Sequence, residues 1–316
     1  MNTRSTLSAL VLAALLIPAP MLLGQNENQG QGQAVITVLP KQTNAPSPSV
    51  PTQAVKVQVD GKTSTITNWQ PYPHSSQVQL VLLIDSGARS SLGREWNDIT
   101  GFIHSLPPNV QFSLAYMENG RAVLAGPLTA NHAQAAQELH LPAGVPGESG
   151  SPYFALSDLA KHWPSNDTSA RREVIMITDG VDYYQLHYDP EDPYVVAAMH
   201  DAARAHLVVY SIYWKSTGPA DRSWYENNAG QNLLMEVTQA TGGNSYWIGF
   251  GDPVSLSPYF DDFSRRLNNQ YELNFSASLN GKPQVESLKV KVSTPDVKVT
   301  APQEAYVFPA GIAPQQ

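Results

Sequence analysis

Two apolar segments, each running into an aspartate, constrain this chain more than anything else in it. Val78–Ile84 (VQLVLLI) has almost no polar interruption and ends at Asp85. Glu173–Thr178 (EVIMIT) does the same and ends at Asp179. A strand with so little alternation is covered on both faces. Two such strands with an acid at each carboxyl end are how an open α/β sheet places a site along its top edge. The segments between and beyond them alternate in the same rhythm. Helical spacing of Leu92, Trp96, Ile99, Phe102, Ile103 and Leu106 predicts a helix over 92–106, closed by Pro107-Pro108. Strands follow at 110–117 and 121–125, turned at Asn119-Gly120. Helices are predicted at 131–139, 152–163, 193–206, 231–241 and 256–268, and strands at 207–213 and 244–248. The expected fold is α/β: a doubly wound, mostly parallel Rossmann-like sheet with helices on both faces and one antiparallel strand at the Asn119-Gly120 hairpin.

The ends of the chain read differently. Residues 34–39 and the hairpin 55–69, turned at Asp60-Gly61, are β-rich, as are 271–276, 286–292 and 297–300. Two or three strands need a partner surface, so the two flanks are expected to pack together as one small β module. The divisions are a signal peptide at 1–24, a disordered linker at 25–33 (polar QNENQGQGQ from Gln25), an N-terminal β segment at 34–72, the α/β domain at 77–269, a C-terminal β segment at 270–307 and a frayed tail at 308–316.

Compartment comes from the amino end. Arg4, the apolar run Leu7–Leu16 and the looser apolar tail Ile17–Gly24 follow the plan of a secretory signal peptide, with cleavage near Gly24. Pro18 and Pro20 interrupt the run, and it is short for a membrane span. An uncleaved N-terminal anchor is the alternative; in both cases the remainder lies outside the cytoplasm, periplasmic or secreted. A formal net charge of -8 argues against a nucleic-acid partner. With no cysteine in the sequence, disulfides, thiolate metal sites and an N-terminal cysteine lipid anchor are excluded.

Asp85, Ser151 and Asp179 all fall at the carboxyl edge of the expected sheet or lead into a helix. Three hard oxygen donors suit Mg²⁺, with water filling the remaining positions. Weaker candidates are the cluster His187–Asp192 (HYDPED), which lacks EF-hand spacing and reads as a solvated turn, and Gly147–Ser151 (GESGS), which is out of frame with a nucleophile elbow. The chain carries no P-loop and no G-x-G-x-x-G.

The order of elements, the IDSG and MITDG strand ends, the loop and helix at Gly150-Ser151-Pro152 and the ATGGNSYW segment resemble the von Willebrand factor A (vWA) domain over roughly 78–269. The flanking strands resemble those of secreted von Willebrand-A-related proteins of Acidobacteria. The resemblance implies a metal-ion-dependent adhesion site built on Asp-x-Ser-x-Ser, a later Thr and a later Asp. Asp85 matches the first acid, Gly87 and Arg89 stand at the two serine positions, Ser151 stands where Thr is usual, and Asp179 matches the last acid. The site is therefore expected to be degenerate. Either a divalent cation such as Mg²⁺ binds weakly, or Arg89 pairs with Asp85 or Asp179 in its place, or Arg89 points to solvent. A shift of one residue would bring in Ser86 or Ser90.

Two top-edge loops are the candidate recognition surfaces. Residues 180–192 carry Tyr183, Tyr184, His187 and Tyr188. Residues 215–230 carry Arg222, Trp224 and Tyr225. Such side chains dominate protein interfaces, though they also pack over helix ends. Three functions are expected to compete: a non-enzymatic exported module that binds a protein partner through this face, an envelope-assembly scaffold that needs no metal, and, remotely, an α/β hydrolase.

Overall fold

A computed structural model describes residues 29–43, 45–142, 150–215, 223–249 and 251–310, and all side chains among them except those of residues 89 and 90. The expected signal peptide, Arg222, the side chain of Arg89 and the tail from 311 lie outside the described residues.

The α/β body is a six-stranded sheet. Its strands are β4 (Val78–Asp85), β5 (Val110–Glu118), β6 (Arg121–Leu124), β7 (Arg171–Thr178), β8 (Leu207–Tyr213) and β9 (Ser245–Tyr246), in the order β6-β5-β4-β7-β8-β9. All pairings are parallel except β5–β6, where Asn119 and Gly120 turn the chain with positive φ. The order reverses at β4, the switch point at which such sheets open a crevice. Every residue of β4, β7 and β8 is buried. Alternate side chains serve two cores. Leu80, Leu82 and Ile84 face α1 (Trp96–Ser105), α2 (His132–Gln137) and α6 (Ser257–Leu267), through Ile99, Phe102, Phe260 and Phe263. Val81 and Leu83 face α3 (Pro152–Lys161), α4 (Pro193–Arg204) and α5 (Trp224–Thr241), through Tyr153, Leu156, Leu233 and Val237.

Several expected boundaries move. Residues 86–95 form a 3-10 stretch, and the α-helix begins only at Trp96. The buried pair Leu92 and Glu95 follows the three-residue repeat of that stretch, and a spacing read on apolar residues alone passed over Glu95. The helix expected from 231 starts at Trp224, where Ser223 and Glu226 form a capping box. The last strand shrinks from 244–248 to Ser245–Tyr246.

The β module is larger and more closed than the flanks suggested. It comprises β1 (Gln29–Pro40), β2 (Val55–Val59), β3 (Lys62–Pro71), β10 (Gln270–Ser278), β11 (Gln284–Val292), β12 (Val297–Thr300) and β13 (Glu304–Pro309). The order β10-β3-β2-β11-β13-β1, with β1 also paired to β10, closes a six-stranded antiparallel barrel, and β12 adds to β1. Closure removes the exposed edges that a small open sheet would carry. It encloses a core of its own, including Ile36, Val57, Leu273, Phe275 and Val307.

This corrects two expected divisions. Gln29–Gln33 is not linker but the first half of β1, paired with Ser278–Asn274 and, at Gly30–Gly32, with Pro309–Val307. Its glycines are required: a Cβ on Gly32 would lie 2.5 Å from the Phe275 ring, and one on Gly30 2.6 Å from Val307. Phe308 is not tail but a buried residue of β13.

The barrel sits at the amino edge of the body's sheet. Arg171, which opens β7, donates to the Leu267 carbonyl at 2.9 Å and to Gln270 Oε1, and its guanidinium lies 4.6 Å from the Tyr72 ring centroid. Gln270, which opens β10, donates in turn to Glu173 Oε1 at 2.9 Å.

Candidate functional site

The carboxyl edge of β4 and β7 forms a buried polar cluster. Asp85 closes β4 with extended backbone and is 7% exposed. Its Oδ1 accepts the Gly87 N–H at 2.8 Å and its Oδ2 accepts the Thr178 hydroxyl at 2.6 Å. The first expected acid is thus tied to the end of the neighbouring strand through a threonine that sequence reasoning passed over. Thr178 Oγ1 also accepts the Gly180 N–H at 3.2 Å, and Asp179 Oδ1 accepts the Val181 N–H at 3.0 Å. Gly180 has φ +69° and its absent Cβ would sit 2.5 Å from the Gly230 carbonyl. Gly230 in turn abuts the Asp179 carbonyl. Two glycines therefore let the Asp179 loop lie directly on the backbone of α5, which fixes its position.

Ser151 is wholly buried at the N-cap of α3, where its hydroxyl accepts the Tyr153 N–H at 3.3 Å. Ser86 donates to the Met117 carbonyl, which ties it to the backbone of β5. The structure places Asp85 and Asp179 at the carboxyl ends of the neighbouring strands β4 and β7 and Ser151 at the start of α3, and adds an acid that was not anticipated. Asp182 is 1% exposed; its Oδ1 accepts the Tyr184 N–H at 2.8 Å, and its Oδ2 has no hydrogen-bond partner. Burial first, and then the nearby Asp192, raises its pKa, while the Tyr184 amide and the Ser151 hydroxyl pull it back. The signal in the sequence was the second aspartate in TDGVD. Tyr153, fully buried, donates to the Gly180 carbonyl at 2.7 Å, and its phenol is pushed up by burial and then by Asp182, Asp179 and Asp192.

These donors fit a divalent cation poorly. Gly87 offers no side-chain oxygen, and each Asp85 oxygen already accepts one hydrogen bond. The Ser151 hydroxyl is held as a helix cap. Among the described residues no group of three or more His, Asp or Glu side chains is arranged to hold a metal ion.

Above this cluster the surface turns aromatic. Tyr184 (69% exposed) and Tyr194 (48% exposed) lean on Phe154, with ring centroids 5.3 and 4.7 Å from it and 6.3 Å from each other. Tyr184 also lies over Gly150, where a Cβ would meet its ring at 2.9 Å. A second group stands on the first turn of α5. Trp224 is 65% and Tyr225 50% exposed, and His187 approaches Tyr225 edge-on at 5.4 Å. Tyr188 donates to Glu236 Oε1 at 2.7 Å. Tyr183, half-buried, donates its N–H to the Gly150 carbonyl at 2.9 Å. Of the expected recognition residues, Tyr184, His187, Tyr188, Trp224 and Tyr225 do present surface. Phe154 and Tyr194 were missed, because both lie in the first turn of an expected helix and not in the two loops read for recognition. Trp224 and Tyr225 belong to a helix, not to the loop expected over 215–230.

The body is thus a six-stranded, mostly parallel α/β sheet with one antiparallel edge strand and an aspartate at the carboxyl end of each of β4 and β7. No family model and no curated protein matches the sequence. Among solved structures, this chain is similar to an aerotolerance-related membrane protein from Bacteroides fragilis NCTC 9343, at 14% identity and a TM-score of 0.44 over 60% of this chain and 98% of that one. It is similar to a von Willebrand factor type A protein from Catenulispora acidiphila, at 12% identity and a TM-score of 0.42 over 89% and 75%. It is also similar to the manganese-loaded TRAP protein of Plasmodium vivax, at 14% identity and a TM-score of 0.40 over 75% and 97%.

Proposed function

We propose that this chain is an exported, non-enzymatic module that binds a protein partner through the carboxyl edge of its vWA-like body, with a degenerate metal site that needs no cation. One observation carries the reading: Tyr184, Tyr188, Tyr194, Trp224 and Tyr225 are exposed, with His187, on the elements that follow the carboxyl ends of the strands. Exposed Tyr and Trp side chains at a sheet's loop edge are of the types that anchor interfaces. Export rests on the signal-like segment 1–24. Among the described residues no helix is long and apolar enough to cross a membrane.

A hydrolase reading has little to support it. The Ser151 hydroxyl caps a helix, and among the described residues no serine hydroxyl is hydrogen-bonded to a histidine. The scaffold reading is favoured by the barrel, a closed unit with its own core. Affinity capture from envelope extract with the full chain separates these. Top-face recognition predicts capture that is equal in Mg²⁺ and in chelator, and reduced about tenfold or more by Tyr184→Ala with Tyr194→Ala. Loss of capture in chelator would restore a metal-dependent site. Capture untouched by the tyrosine pair would favour the scaffold.

A further inference from the structure

The two units of this chain carry opposite charge. Over residues 72–269 there are 11 Lys and Arg against 21 Asp and Glu, whereas the barrel segments 29–71 and 270–310 carry seven Lys against five Asp and Glu. Three of those lysines share one surface. Lys56 on β2 is directly opposite Lys291 on β11, and Lys289 is two residues along the same strand, opposite Gln58. Directly opposed side chains on paired strands have Cβ atoms roughly 5 Å apart, and like charges placed so repel. The neighbouring outward positions, Gln58, Thr63, Thr65 and Ser287, hold no acid, and a groove of about 450 Å³ runs between the lysines and Thr63. Lysine on a strand usually guards a sheet edge. Here β2 and β11 are interior strands of a closed barrel, so there is no edge to guard.

The complementary surface is on the other unit. Residues 180–193 contain four acids, three tyrosines and no Lys or Arg. Glu191 is exposed and Asp189 half-buried, beside the exposed rings of Tyr184, Tyr188 and Tyr194. Carboxylates beside tyrosine faces suit lysine ammonium groups, by charge pairing and by cation–π contact within about 6 Å. All of the exposed large apolar side chains among the described residues lie on the body and none on the barrel. The lysine surface therefore has nothing to insert into a bilayer, which argues against a lipid occupant.

We propose that the barrel face bearing Lys56, Lys289 and Lys291 docks the acidic, tyrosine-rich edge of a second copy of this chain, head to tail. The proposal rests on the top-face reading above and names one partner for that face. Because the two surfaces differ, each copy offers one of each, and association builds open chains unless the rotation closes.

The test uses two full-length variants and light scattering. Wild-type protein gains mass with concentration at low ionic strength and returns to monomer near 0.5 M salt, where the screening length is only roughly 4–5 Å. The triple variant Lys56→Glu, Lys289→Glu, Lys291→Glu and the double variant Asp189→Lys, Glu191→Lys each lose association about tenfold or more when alone. Mixed, they recover association through their two intact faces, whose charges are those of the wild type. Circular dichroism and melting confirm that both variants are folded. A wild type that stays monomeric at low salt, or a triple-lysine variant that associates like wild type, overturns the proposal. So does a triple-lysine variant that loses binding to anionic vesicles while self-association continues. The lysine variant keeps its top face, so capture of an envelope partner by it shows that face at work even when self-association fails.

Discussion

Thr178 shows how much rests on one hydroxyl. It donates to Asp85 Oδ2 and accepts from Gly180, so it ties the first acid to the loop that carries the second. Thr178→Val keeps the shape and removes the donor, leaving a buried carboxylate oxygen short of a partner. The expected cost is about 1–3 kcal/mol in a denaturant titration, with little change in m-value. The same engagement of Asp85 bears on metal. A site of millimolar affinity would raise stability by about 1.4 kcal/mol when Mg²⁺ is tenfold above its Kd. No such increase is expected here; a rise in melting temperature that Asp179→Ala abolishes would show that a cation binds after all.

At the scale of elements, the amino end of β7 and the amino end of α5 are the informative places. Glu173 is fully buried beside Arg171 and Gln270, and burial lifts its carboxyl to about 7 while Arg171 and Gln270 oppose that. A carboxyl whose folded pKa is raised binds more protons in the native state between its unfolded value of 4.5 and about 7. Its contribution therefore makes stability fall as pH rises across that window. His206, after α4, is pulled down to about 4 by burial and then by Arg172. Its neutral form belongs to the fold, so its contribution is complete above 6.5 and is lost as pH falls towards about 4. Chemical denaturation of Glu173→Gln at pH 5 and pH 8 separates the two. His206 offsets part of the Glu173 term in both proteins, so the comparison is between them: from pH 5 to pH 8 the variant should gain stability relative to the wild type by on the order of a few kcal/mol. If both proteins change equally with pH, Glu173 is not the titrating group. At α5, Ser223→Ala removes one half of the capping box and should cost about 1 kcal/mol. It should also loosen Trp224 and Tyr225, visible as a shift in tryptophan emission.

Legibility in the sequence differed between these elements for physical reasons. Strands β4, β7 and β8 were plain, because burial on both faces demands unbroken apolar runs. The position of Asp85 and Asp179 at the carboxyl ends of their strands could be read from the same runs. What sequence reading lost was carried by groups without a pattern: Thr178, which looked like part of a strand, and Asp182, a second acid after the turn. The start of β1 was lost because QGQGQ offers no apolar side chain at all. Its glycines are there to leave room for Phe275 and Val307.

For the whole molecule, barrel closure depends on that unpromising segment. The β1–β13 contact is only Gly30–Gly32 against Val307–Pro309. Gly32→Val would drive a branched side chain into the Phe275 ring and open the barrel. Hydrogen exchange of β13 amides should rise strongly, while the body strands β4 and β7 keep their protection. Exchange rising equally in both units would mean that the two do not fold as separate cores.

The β1–β10 pairing has a mechanical consequence. Gln29 lies opposite Ser278 at the far end of the barrel, while Thr37 lies opposite Gln270, only a few residues after α6 of the body. A pull on the amino end of β1, resisted by a body held at its top face, would draw the two strands lengthwise past each other. The ladder's hydrogen bonds lie across that direction, so the nine paired positions from Gln29 to Thr37 share the load at once instead of opening one by one. Single-molecule stretching from Gln29 should therefore meet a high rupture force, and pulling from the carboxyl end of β13, whose contact with β1 spans three residues, a much lower one.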